Sequence, residues 1–139
     1  MFRKFLFSMV LLAMGFTTSA LAQETLTVYD GDATNNYVPI YGLYVDSYCK
    51  AEIVMNADQL TDMTGGTISG LTWYLKNPAA AAWTGAVFQI FMKEVPDATI
   101  QSYWGLDGAT VVYEGALDGT QSELPIEFTT PYTSRAVIC

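Results

Sequence analysis

Histidine is absent from this sequence, basic residues number 6 and cysteines number 2. Without histidine there is no Ser-His-Asp triad, no Cys-His pair and none of the usual zinc sites. The basic residues face 14 acidic ones, a net charge of −8, with no basic cluster to offset it. Such a surface repels nucleic acid and anionic lipid. Two cysteines make no disulfide framework. Cys49 shares strand parity with Ala51, Ile53 and Met55 and reads as a small buried hydrophobe. A Cys49–Cys139 bridge needs Cα atoms within about 7 Å, and the sequence leaves that pairing open. Phosphate-cradling loops are missing too: Gly65-Gly66 lacks the following Lys-Ser/Thr and the strand–loop–helix setting. No carboxylate pair is embedded in apolar sequence that would raise a pKa, so no glycosidase pair stands out and no enzyme is expected.

What is present begins with an export signal. Arg3 and Lys4 form a basic head, Phe5 to Phe16 an apolar run, and Ala20 and Ala22 stand in A-x-A spacing. Cleavage between Ala22 and Gln23 is expected. A membrane anchor needs about 20 apolar residues and this run is shorter. Removing residues 1–22 leaves 117 of 139 residues, enough for one domain, with 4 basic residues against 14 acidic and a net charge of −10. The protein is expected to be secreted or held at the cell surface, with no membrane span once the signal is gone.

The chain is organised around residues 67–95, TISGLTWYL, then KNPAAAAWTG, then AVFQIFMKEV. Alternation puts Leu71, Trp73 and Leu75 on one side of the first run, and Phe88, Ile90 and Met92 on one side of the second. The opposite sides carry Thr72 and Tyr74, then Gln89, Phe91 and Lys93. Two such runs around a turn-rich loop predict antiparallel neighbours. A short first strand is expected over 24–29, and alternation over 49–55 with Lys50 and Glu52 outward. Asn56 is positioned to cap one helical turn over 57–63, stopped by Gly65-Gly66. Further strands are expected at 110–117, with Val111 and Tyr113 sharing a side, and at 124–129, with Leu124, Ile126 and Phe128 inward. Asp107-Gly108 and Asp118-Gly119 precede these two strands, and Asp-Gly suits hairpin turns because both positions accept positive φ. Pro125 cannot donate a ladder bond, which places its strand at an edge or turns that position outward. Short strands, regular turns and almost no helix predict an all-β antiparallel sandwich.

DGDATNNYVPIYG, NADQL, GGTISGLTWYL, the Trp83 loop, FMKEV and VVYEGALDGT…FTTPY follow one another in that order. This series resembles the N-terminal jelly-roll-like sandwich domain of secreted multidomain Bacteroidales surface or adhesin-like proteins, often followed by fibronectin-type-III-like modules. The likeness spans residues 28–132 and stops at the tail 133–139. It implies an extracellular module and supplies no catalytic residue. The apolar ending Ala136-Val137-Ile138-Cys139, after a turn expected at 129–132, reads as a domain cut short, with strand-mediated self-association as the expected consequence.

Candidate sites are of two kinds. Asp30, Asp32, Asn35 and Asn36 offer hard oxygen ligands for calcium. The spacing fails as an EF-hand, because its sixth position is Asn35 and its twelfth Tyr41. An Asx-type turn accounts for these residues without a metal. The second kind is aromatic. Tyr74 and Phe91 are expected on an outer face, with Trp83 and Trp104 in loops, as stacking surfaces for a glycan or a cell-surface protein. Trp83 has a second reading, as a plug folded back over the sandwich end. Together these features predict a secreted, non-catalytic module for adhesion or binding. A carbohydrate-binding module tied to glycan breakdown and a spacer without a ligand are the alternatives.

Overall fold

A computed structural model describes residues 24–28, 33–34, 48–96 and 99–134. The signal segment, its cleavage point at Ala22 and Gln23, the candidate calcium residues Asp30, Asp32 and Asn35, and the last residues of the tail, 135–139, lie outside the described residues.

Among the described residues, four strands follow one 3-10 helix at Ala57–Met63. Asn56 caps the helix in extended backbone (φ −67°, ψ 145°), and its own N–H donates to Gln59 Oε1 at 3.2 Å. The chain leaves through Gly65 at φ 74°, a left-handed conformation that glycine takes without steric penalty. β1 (Thr67–Tyr74) and β4 (Glu123–Thr133) pair antiparallel in one two-stranded sheet; β2 (Phe88–Met92) and β3 (Thr110–Gly115) pair antiparallel in another. The protein is an all-β antiparallel sandwich in which β3 lies against β4. Among the described residues every strand is therefore an edge strand, Pro125 on β4 included.

The two central runs are thus not partners. The loop between them is too long for a tight hairpin turn, and it carries the chain from one sheet to the other. β4 takes the place expected for β2 beside β1, with Leu71 opposite Ile126 and Trp73 opposite Leu124.

Leu124, Ile126 and Phe128 alternate inward on β4 and, with Val112 on β3, form the buried core. Ile68, Leu71 and Trp73 of β1 and Ile90 and Met92 of β2 pack around it. Two irregularities shape this core. Ile90 faces Tyr113 and Phe91 faces Val111, so Val112 is an extra residue on β3. That bulge breaks the alternation: Val112 is fully buried and Tyr113 also packs on the core, while Val111 is 41% exposed. On β4 the register jumps between Glu127, opposite Gly70, and Tyr132, opposite Ile68. The intervening residues bow away from β1, and Thr129 Oγ1 donates to the Val112 carbonyl at 3.1 Å, tying the sheets together. Residues 129–132 are accordingly strand and not the expected turn. At the pinch beside this bow a Cβ on Gly70 would stand 2.6 Å from the Ile126 carbonyl oxygen, so only glycine fits.

Two other expectations are corrected. Residues 24–28 and 48–55 join no sheet. Over 51–54 the predicted parity is reversed: Ala51 and Ile53, like Cys49, are exposed, whereas Glu52 and Val54 are half-buried; Lys50 is exposed and Met55 half-buried, as expected. Cys49 is a free, exposed thiol and not a buried hydrophobe. The reason lies in Glu52, whose carboxylate turns inward to bind backbone N–H groups.

Candidate functional site

The connection from β2 to β3 builds the site. Lys93 follows the last residue of β2, and its ammonium folds under the loop, donating to the carbonyls of Trp104 at 2.9 Å and Asp107 at 3.4 Å. From the other side the Glu52 carboxylate accepts the N–H of Trp104 at 2.8 Å and of Gly105 at 3.1 Å, one on each oxygen. A bidentate carboxylate on consecutive backbone N–H groups is a charge-assisted pair, stronger than neutral hydrogen bonds. Gly105 (φ 70°) permits the turn that presents both N–H groups, and Gly108 (φ 74°) completes the next turn, closed by Ala109 N–H donating to Leu106 O at 3.0 Å. One residue earlier, Lys50 Nζ stands 5.7 Å from the Tyr103 ring centroid, a cation–π contact. The loop is therefore held by one anion and one cation through its backbone.

Beside it opens a cleft of about 670 Å³, lined among others by Lys93, Trp104, Asp107, Thr110, Tyr132 and Thr133. Trp104 is half-buried, yet its indole Nε1 is buried with no hydrogen-bond partner. Buried polar groups are nearly always paired, so this N–H stands out.

The other aromatic candidates lie elsewhere. Trp83 packs on the core, with its ring centroid 5.5 Å from that of Phe88 and its ring planes tilted by 45°. It also lies against Gly119 so closely that a Cβ there would overlap the ring. The loop is pinned at the same place, Ala79 N–H donating to the Gly119 carbonyl at 2.7 Å. Gly119 is thus required for clearance; unlike Gly108 it does not take the positive φ that Asp-Gly suggested. Tyr74 is 72% exposed on β1, and Phe91 is half-buried on β2. Since β1 and β2 belong to different sheets, these two do not share the outer face expected of them.

Of the four aromatic candidates, Trp104 alone lines the cleft. Sequence reasoning passed over its neighbours Tyr132 and Lys93 and the buttress Glu52. Tyr132 was hidden because 129–132 reads as a turn. Lys93, a lone cation ending an apolar strand, was the one legible signal. No group of acidic or cysteine side chains among the described residues could hold a metal ion. No helix among them is long and apolar enough to cross a membrane. Comparison with protein-family models, with curated proteins and with solved structures found no match.

Proposed function

We propose that the protein is a secreted, non-catalytic sandwich module for adhesion or binding at the cell surface. The observation that carries this reading is the cleft beside Trp104, where two charged side chains spend their hydrogen bonds on holding a loop. Groups engaged in this way position a surface and do not perform acid–base chemistry. The lack of histidine in the whole sequence points the same way, as do the signal-like start and the resemblance to adhesin-like modules. A carbohydrate-binding module associated with glycan breakdown is a second reading, favoured by the aromatic and hydroxyl lining of the cleft.

Arrays bearing glycans and extracellular surface proteins test the proposal. Selective retention of the labelled protein on any class supports a binding module. Uniform failure to bind supports a spacer with no ligand.

A further inference from the structure

We propose that β2 pairs antiparallel with β2 of a second copy of this chain, about a two-fold axis at Ile90, joining two β2–β3 sheets into one sheet of four strands. Such a pairing is independent of what the module binds. Among the described residues β2 has one partner, β3, so its other edge presents a row of unpaired backbone N–H and C=O groups. Proteins ordinarily guard an edge of this kind with charge or proline. β4 carries Glu123, Pro125, Glu127 and Pro131, and β3 carries Glu114. β1 is uncharged, but Gly70 and a register jump interrupt it. Residues 86–92, AVFQIFM, hold no charge, proline or glycine. The bulge in this sheet lies on β3, which leaves β2 itself regular. An uncharged run of strand-forming residues on an edge is the pattern that pairs with another chain.

Charge and register name the occupant. At a net charge of −8 two copies repel over most of their surface, and an uncharged strand is where they approach with least repulsion. The five residues of β2 overlap themselves in full, antiparallel, only when centred on the middle one. Ile90 then faces its own counterpart, Phe88 faces Met92 of the second copy, and Gln89 faces its Phe91. Phe88, Ile90 and Met92 share one side of β2 and are each half-buried. The paired strand covers them further and sets a thioether against an aromatic ring at each end of the row. On the other side the Gln89 amide is drawn towards β3, donating to Glu114 Oε2 at 2.6 Å, which leaves the seam clear. Beyond the strand Lys93 falls opposite Val87 and Glu94 opposite Ala86, so no like charges meet across the pair. The contact consumes the same edge on both copies and therefore closes as a dimer.

Sedimentation velocity and amide hydrogen exchange of the full chain, each over a range of concentrations, test this. A reversible monomer–dimer equilibrium is expected. The β2 amides that do not bond β3 are expected to gain protection as concentration rises, with those of β1 and β4 unchanged. Added salt is expected to tighten the dimer, because it screens the repulsion between two acidic chains. Gln89→Lys keeps a partner for Glu114 and sets two lysines diagonally across the seam, and it is expected to weaken the dimer up to about fivefold. Its unfolding, recorded where the protein is monomeric, separates a lost contact from a lost fold, and the wild-type protection stands without the variant. A monomer at every concentration overturns the proposal, as does protection that rises at β1 in place of β2. So do β2 amides already protected in the dilute monomer, oligomers that grow beyond the dimer, or a Gln89→Lys variant that dimerises as tightly as the wild type. None of these outcomes touches the binding-module reading, which the arrays decide.

Discussion

Two loops of this molecule each carry a tryptophan, and they are held by opposite means. The Trp83 loop is held by shape: an indole on the bare backbone of Gly119, tilted against Phe88 and continuous with the core. The Trp104 loop is held by charge, with Glu52 on its N–H groups and Lys93 on its carbonyls. Shape leaves the first indole committed to packing. Charge fixes the second loop through its backbone and leaves the indole edge without an acceptor, next to a cleft. Two tryptophans in similar loops are therefore different objects: one packs on the core, and the other sits in a loop that lines a cleft, with its buried indole N–H left without an acceptor.

Variants that strike one loop and spare the other sharpen this contrast. Trp83→Ala has the largest expected effect, a loss of about 3 kcal/mol in unfolding free energy, at the lower end for truncating a packed tryptophan. Gly119→Ala comes next, at about 1–3 kcal/mol by overpacking. Because the ring must leave its seat, its fluorescence is expected to shift to the red; unchanged emission would mean that the Gly119 contact is not what holds it. Glu52→Ala is expected to cost about 1.5 kcal/mol, the lower end for hydrogen bonds to a charged group. Its signature is local: faster hydrogen exchange at the Trp104 and Gly105 amides with the amides of β1 and β4 unaffected.

The smallest effect concerns Asp118 in the turn before β4. Hydrogen bonds from the side chain and then the backbone N–H of Thr120 hold its carboxyl below the ordinary aspartate value. A pKa depressed by folding stabilises the folded state above the unfolded value, and that contribution fades as pH falls through the folded pKa. An NMR titration is expected to place Asp118 below the ordinary aspartate value, and Thr120→Ala, which removes the side-chain hydrogen bond and keeps the backbone one, to raise it part of the way back.

The inward set of β4 was plain in the sequence, because Leu124, Ile126 and Phe128 alternate strictly with Pro125, Glu127 and Thr129. The same held for Leu71 and Trp73 on β1 and for the cap at Asn56. Alternation says which side of a strand is apolar, but not which strand lies beside it, so β1 was paired with β2 when its partner is β4. Bulges are invisible to a period of two, which is why Val111 and Tyr113 were expected to share a side, whereas Val111 is exposed and Val112, the extra residue, is fully buried. Glu52 defeated the reading most completely. A carboxylate between apolar residues looks outward-facing until the backbone N–H groups it satisfies, some fifty residues along the chain, are known. Trp104 was legible as a candidate; its cleft was not, because Tyr132 reaches it from β4 only through the bow in that strand.

Denaturant unfolding of Trp104→Ala beside Trp83→Ala compares the two loops most directly. Trp104→Ala is expected to lose about 1 kcal/mol or less, as for residues outside the core, well below the loss for Trp83→Ala and with an unchanged denaturant slope. An equal or larger loss at Trp104 would contradict the division between them and make both tryptophans parts of one core.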